Sequence, residues 1–464
     1  MTHKKFDVAV IGGGPAGYIA AIKAAQLGGS VILFEKDVLG GTCLNRGCIP
    51  TKTYLKTAEE MDVIRNASSR GIINDPTVRV DMQMTVAYKD KVVRQLTSGV
   101  GALLKSNGVT VVYGTATMLS RTSIACGDTQ YEASSTILCG GSKASVIPIP
   151  GVESKNVLLS DDILKLTEVP QALTIIGGGV IGCEMAAAFN GFGSKVTIIE
   201  ALDRLVFNMD QDVSDAMLKQ LKKSGITVFT GQKVERIADE TDGRITVFFG
   251  EDKSVTGDKL LLSIGRAADV ECLGALKDEI KLERGKVVVD DYMRTNISNI
   301  YAAGDINGRF MLAHAAFKMG EVAAANAMGC SETCKLDAIP GCIYTMPEAS
   351  GVGLTEDEAK LRFGENNVAT GKFPFSANGR AIASGSTEGF VKVVVDKRYG
   401  ELVGVHIVGS IAAEMISEAT ALIASEVPAD MVAEIVHPHP TFSEAFMEAC
   451  ADAFKRCMHL PKKH

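Results

Sequence analysis

A chain of 464 residues has room for about three or four domains, and its 46% apolar and 22% charged residues suit a soluble protein with sizeable cores. A net charge of −7, aromatics at 6%, no Trp and no basic stripe speak against a nucleic-acid partner. Charges interrupt the apolar runs well short of the about 18 residues of a membrane span, so neither a transmembrane helix nor a membrane partner is expected.

At the start, Lys4-Lys5 ahead of an apolar stretch imitates a secretory leader. Asp7 and Gly12-Gly13-Gly14-Pro15 break that stretch and no cleavage site follows, so a cytoplasmic location is expected. From Val8 to Lys36 the sequence VAVIGGGPAGYIAAIKAAQLGGSVILFEK reads as strand, glycine-rich turn, Ala-rich helix and second strand. It recurs from Leu173 to Ala201 as LTIIGGGVIGCEMAAAFNGFGSKVTIIEA, at an offset of 165 residues. This is a βαβ unit written twice. Gly12, Gly14 and Gly17 in the first copy, and Gly177, Gly179 and Gly182 in the second, carry the spacing of a dinucleotide-binding turn. There the phosphates sit on free N–H groups at a helix N-terminus. Glu35 and Glu200 each lie 23 residues past the first glycine, where a carboxylate can accept from ribose hydroxyls. A carboxylate at Glu200 repels a 2′-phosphate, which favours NAD over NADP at the second site; Arg204 is the nearby base.

Between the two copies lies Gly40-Gly41-Thr42-Cys43-Leu44-Asn45-Arg46-Gly47-Cys48-Ile49-Pro50-Thr51-Lys52. A zinc half-site would need a second cysteine pair nearby, and a structural disulfide suits an oxidising compartment. A redox couple fits the position. Pro50 reads as a first-turn residue of a helix through Tyr54, Leu55 and Ala58, which places Cys48 near a helix N-terminus with Lys52 one turn on. Both features stabilise a thiolate. Of the eleven cysteines, Cys126, Cys139, Cys183, Cys272, Cys450 and Cys457 read as small apolar fillers. Cys330, Cys334 and Cys342 lack a histidine at zinc spacing, so no metal is expected.

Further on, Pro148-Ile149-Pro150-Gly151 reads as a linker. Phe390 to Asp396 and the following GELVGVHIVG predict an antiparallel sheet, and Ala412 to Ser425 predicts an amphipathic interface helix. Together with GGTCLNRGCIPTK and the glycine turns, TNISNIYAAGDING (Thr295 to Gly308), YTMPEASGVGLTEDEA (Tyr344 to Ala359) and HPHPTFSEA (His437 to Ala445) resemble the pyridine nucleotide-disulfide oxidoreductases. Order and spacing most resemble their dihydrolipoamide dehydrogenase group.

The resemblance implies an α/β fold with two Rossmann-like domains and a C-terminal α+β dimerisation domain. The segments would be 1–145 for FAD, 146–268 for NAD, 269–337 completing the FAD site, and 338–464 for the interface. It implies FAD on Gly12, Gly14, Pro15, Ala16, Gly17, Glu35, Lys36, Gly41, Thr42, Gly304 and Asp305, and NAD on Gly177, Gly179, Val180, Ile181, Gly182, Glu200, Gly265 and Arg266. Cys43 matches the interchange thiol and Cys48 the thiol against the flavin. Lys52 would pair with Glu184 on the first turn of the second nucleotide helix. His439 matches the base, oriented by Glu444 and supplied by the second subunit of a homodimer, with His437 a structural neighbour.

The implied reaction is dihydrolipoamide plus NAD+ to lipoamide plus NADH. The lipoyl arm would come from another polypeptide, in a 2-oxoacid dehydrogenase, acetoin or glycine-cleavage complex. The alternative is an NADH-dependent reductase of another disulfide. NADP-using reductases carry basic residues where Glu200-Ala201 stands, Cys450 and Cys457 are not the adjacent pair of mercuric reductases, and MHLPKKH is no redox tail. A non-catalytic FAD scaffold would need neither the thiols nor the base. Arg46 departs from a frequent aliphatic residue and adds a positive charge between the two thiols, of a sign that lowers a thiol pKa. Leu138-Cys139-Gly140-Gly141-Ser142 and Met346 also depart from the pattern.

Overall fold

In a computed structural model the structure describes residues 5–73, 75 and 77–461; Lys4 and the last three residues of MHLPKKH lie outside them. Strand β1 (Lys5–Ile11) ends in four buried residues, and every residue of β2 (Val31–Glu35) is buried. Such apolar runs belong to parallel strands covered on both faces. Helix α1 (Pro15–Gln26) connects them, and Val8 pairs with Val31. Next come α2 (Gly41–Arg46), α3 (Cys48–Asn66) and α4 (Met82–Ser106), the last capped by Asp81 accepting from the Met84 N–H at 3.0 Å. Strands β3 (Thr110–Tyr113), β4 (Ala116–Met118), β5 (Ser123–Cys126) and β6 (Thr129–Leu138) complete the order β3-β2-β1-β6-β5-β4.

The second repeat builds its own sheet. After β7 (Ser142–Ala144) and the linker come β8 (Val157–Leu158), α5 (Ser160–Ile163), β9 (Ala172–Ile176), α6 (Val180–Phe192), β10 (Lys195–Ile199), α7 (Gln211–Lys223) and β11 (Thr227–Phe229). The antiparallel trio β12 (Val234–Asp239), β13 (Ile245–Phe249) and β14 (Lys253–Gly257) leads to β15 (Lys259–Leu262), giving the order β11-β10-β9-β15-β8. Strand β16 (Arg266–Ala268) then runs back antiparallel to β7, so the chain enters and leaves this unit through one two-stranded strap. Beyond the hairpin β17 (Leu282–Glu283) and β18 (Lys286–Val287), β19 (Ile300–Ala302) adds in parallel to β6, and α8 (Ala313–Ala327) packs on α1. These late residues share one buried core with residues 8–139.

The C-terminal sheet has the order β20-β21-β24-β23-β22, from β20 (Gly341–Ile343), β21 (Glu348–Gly353), β22 (Val368–Pro374), β23 (Phe390–Asp396) and β24 (Glu401–Gly409). It carries α9 (Glu356–Phe363), α10 (Gly379–Ser384), α11 (Ala412–Ala424), α12 (Ala429–Val432) and α13 (Glu444–Ala453). The expected antiparallel pairing is present, and a helix spans Ala412–Ala424 where an amphipathic helix was expected. Every residue of β23 is buried, Lys392 included. Its Nζ meets Asp210 at 2.8 Å, Asp212 at 3.1 Å and Glu356 at 2.7 Å, tying the start of α7 to the C-terminal sheet. No helix among the described residues is long and apolar enough to cross a membrane.

The two nucleotide-type units meet where α3 crosses α6. Tyr54, Leu55 and Ala58 of α3 join the core of the second unit with Phe189 and Phe192 of α6. A Cβ on Gly191 would lie 2.6 Å from the Ala58 Cβ, so the helices touch through the smallest residues available. Gly191→Leu is therefore expected to force them apart at a cost of about 1–3 kcal/mol, seen in calorimetry as a lower first thermal transition.

Candidate active site

The two glycine turns are built alike. Gly12 and Gly177 have φ of +106° and +109°, and a Cβ on either would fall 2.1 Å from the Cys139 carbonyl oxygen or 2.4 Å from that of Ser263. A Cβ on Gly17 or Gly182 would fall 1.8 or 2.0 Å from the first glycine's carbonyl oxygen. These positions must be glycine for the fold itself. Gly14 and Gly179 differ: the nearest atom to a Cβ on Gly14 is 3.7 Å away, and nothing lies within 4 Å at Gly179. Both are the N-caps of α1 and α6, and neither helix has a side-chain cap. The N–H groups of Ala16 and Gly17, and of Val180, Ile181 and Gly182, thus begin helices at an open cradle, with Pro15 as the first residue of α1. This is the room and polarity that the pyrophosphate of a dinucleotide such as FAD or NAD requires.

The acidic residues do more than the sequence suggested. Glu35 accepts from the Gly13 and Asp37 N–H groups, both at 2.8 Å. Glu200 accepts from those of Gly178 at 2.5 Å and Leu202 at 2.7 Å. Each carboxylate braces its own turn and keeps lone pairs for a ribose. Arg204 is turned away onto Gln211 and the Phe207 carbonyl. Lys36 pairs with Asp269 at 2.9 Å.

The thiol segment is fastened to the first turn. The Gly40 N–H donates to the Gly13 carbonyl at 2.8 Å, and a Cβ on Gly41 would come within 2.7 Å of the Gly14 Cα. Thr42 and Cys43 then lie on α2, and Gly47 alone separates α2 from Cys48, the first residue of α3. Cys43 is pushed up because its S–H donates to Cys48 and it is buried. Cys48 is drawn down to about 7 by that hydrogen bond and the Lys52 charge, against burial and Glu184. The Arg46 guanidinium is held by Asp37 and lies 3.8 Å from Asp161.

Lys52 Nζ lies 2.9 Å from each oxygen of the buried Glu184. Glu184 is the fifth residue of α6, one position past the expected first turn. The Tyr344 N–H donates to Glu184 at 3.0 Å, and the Tyr344 ring centroid is 4.4 Å from Lys52 Nζ. Gly304 abuts α1, its Cβ position 3.0 Å from that of Ala16, and Asp305 accepts from Ser142 Oγ at 2.5 Å. Arg266, next to Gly265, donates to Ser142 Oγ and its carbonyl, both at 2.7 Å. Arg266 thus serves the interdomain strap. Ser142, which ends the departing stretch Leu138–Ser142, is the residue sequence reasoning passed over.

In the C-terminal unit, His439 Nδ1 meets Glu444 Oε1 at 2.9 Å, and Glu444 Oε2 accepts from the Thr441 N–H at 2.8 Å. The His439 side chain is 77% exposed. That of His437 is only 4% exposed, with Nε2 2.9 Å from Glu418 and Nδ1 2.9 Å from the Ile435 carbonyl. Both ring nitrogens face acceptors, and the Glu418 carboxylate raises the pKa of the ring. Among the described residues no hydrogen bond or ion pair joins His439 or Glu444 to Cys43 or Cys48 within one chain. In the reduced protein, iodoacetamide labelling mapped to Cys48 is expected to reach half its plateau near pH 7, and Lys52→Met should move that midpoint upward.

Residues 6–320 match the pyridine nucleotide-disulphide oxidoreductase family and residues 339–450 its dimerisation domain. A dihydrolipoyl dehydrogenase of Bacillus subtilis is 38% identical over 457 residues, covering 97% of this chain and 99% of that one. One of Zymomonas mobilis is 38% identical over 464 residues, covering 98% and 99%. The solved structure of the HOCl-induced flavoprotein disulfide reductase RclA from Escherichia coli superposes with a TM-score of 0.86 at 28% identity, covering 96% of this chain and 99% of that one.

Proposed function

Because this chain belongs to the pyridine nucleotide-disulphide oxidoreductase family, we propose that it oxidises dihydrolipoamide with NAD+ through Cys43 and Cys48, as a homodimer serving a lipoyl-carrying multienzyme complex. The observation that carries this is the placing of the dithiol: Cys43 on α2 and Cys48 opening α3 after Gly47 alone, with Lys52 one turn on and held by the buried Glu184. The dihydrolipoyl dehydrogenases among its relatives support the substrate. The same reading assigns residues 1–145 to FAD, 146–268 to NAD, 269–337 to completion of the FAD site and 338–464 to the interface.

Bound at the first turn, FAD supplies two-electron chemistry between the dithiol and the nicotinamide. The chain's residues do the rest. His439 of a second copy, its tautomer fixed by Glu444, takes a proton from one substrate thiol. The thiolate attacks Cys43 of the oxidised pair; the Cys43–Cys48 bond breaks and Cys48 leaves as a thiolate opposite Lys52. The base then gives that first proton to Cys43 as the mixed disulfide breaks and takes the second substrate proton as that sulfur closes the ring, which releases lipoamide and leaves Cys43 as the thiol. Glu200 would bind the NAD ribose and disfavour a 2′-phosphate.

Cys43→Ser should keep the yellow protein and abolish dihydrolipoamide oxidation; near-normal turnover would remove the interchange role. His439→Gln is expected to cut kcat by about 10² or more while His437→Gln does not, and the opposite pattern would exchange their roles. Glu200→Ala should raise the KM for NAD and narrow discrimination against NADP. Purified protein that reduces NAD rapidly with dihydrolipoamide supports the proposal. An NADH-reducible Cys43–Cys48 disulfide without that turnover would point to another disulfide substrate, as in the flavoprotein disulfide reductase of similar fold.

A further inference from the structure

Tyr344 opens a stretch, Tyr344 to Ala359, to which the reaction above gives no role. It follows β20 in the C-terminal sheet, yet it touches both members of the ion pair under the dithiol. Its backbone N–H donates to Glu184 Oε1 at 3.0 Å. Its ring lies 4.4 Å from Lys52 Nζ, the same ammonium that meets both Glu184 oxygens at 2.9 Å. The ring packs, half-buried, against the core that contains Tyr54 and Leu55. Lys52 keeps 30% of its side chain exposed, so the ring is what shields one side of its charge. The charged and titratable groups that bear on Cys48 are Cys43, Lys52 and Glu184, with Cys342 beside Lys52 and Glu184.

We propose that Tyr344 is a positioning residue for the dithiol: its N–H and ring hold Glu184 and Lys52 in the orientation that stabilises the Cys48 thiolate. The π face attracts the ammonium and keeps water from it, so its field reaches Cys48 with less screening. Substitution leaves the backbone N–H in place and therefore tests the ring alone. The proposal rests on Cys43 and Cys48 being the working thiols, but its test needs no substrate.

The test uses the FAD-loaded protein carrying Cys43→Ser, so that one active-site thiol titrates. The rate of iodoacetamide addition to Cys48, mapped by mass spectrometry, is followed against pH. Tyr344→Phe keeps the ring and should reproduce the parent profile. Tyr344→Leu should move the profile upward, lowering the thiolate fraction near neutrality about three- to tenfold. A Leu profile that coincides with that of Phe overturns the proposal. If the Leu variant loses its flavin or its circular dichroism, Tyr344→Met takes its place with the same two outcomes. Failure to turn over dihydrolipoamide would overturn the substrate reading and leave this titration unaffected.

Discussion

The Lys52–Glu184 ion pair joins everything that the chemistry uses. Lys52 stands one turn along α3 from Cys48, Glu184 belongs to the helix that begins at the second glycine turn, and Tyr344 reaches both from the C-terminal sheet. Glu184 is nearly sealed from water. A buried carboxylate stripped of its partner costs several kcal/mol, so Lys52 serves the packing of α3 on α6 as well as the thiolate. The close crossing at Gly191 and Ala58 sets the helix separation that makes the pair short. Dithiol electrostatics and interdomain geometry are one constraint.

The duplicated βαβ unit shows which parts of the motif belong to folding and which to binding. The first and third glycines are demanded by backbone carbonyls in both copies, whereas the second leaves space in both. The glutamates at the strand ends repeat the same pair of backbone hydrogen bonds. Past those glutamates the copies diverge: one runs into the thiol segment through Gly40 and Gly41, the other into a loop that folds Arg204 back on Gln211. One supersecondary device therefore leads into the cysteine segment in one place and into the loop that carries Arg204 in the other.

Much of this was legible in the sequence because it is local. Short apolar runs, glycine spacing and the cysteine motif reveal strands, turns and the thiol helix within a window of about 30 residues. The joining of Ile300–Ala302 to β6 came only from the family likeness. What stayed hidden depends on contacts across the chain. Nothing near Arg46 in sequence announces Asp161, and nothing near Ser142 announces Arg266 and Asp305. Tyr344 looked like part of a motif, and its ring contact with Lys52 needed the third sheet in place. The motif separates His437 from His439, but the partner that holds His437, Glu418, comes from the distant helix α11.

The Lys392 node gives the attachment of the C-terminal sheet a particular character. Counter-ions weaken ion pairs that water can reach, such as the exposed Lys143–Glu271. Lys392 and Asp210, at 5% and 2% side-chain exposure, are screened much less. The second nucleotide unit is thus joined to the C-terminal sheet by an electrostatic link that salt weakens little. Added salt, which softens surface ion pairs, leaves in place the frame on which Tyr344 meets Lys52.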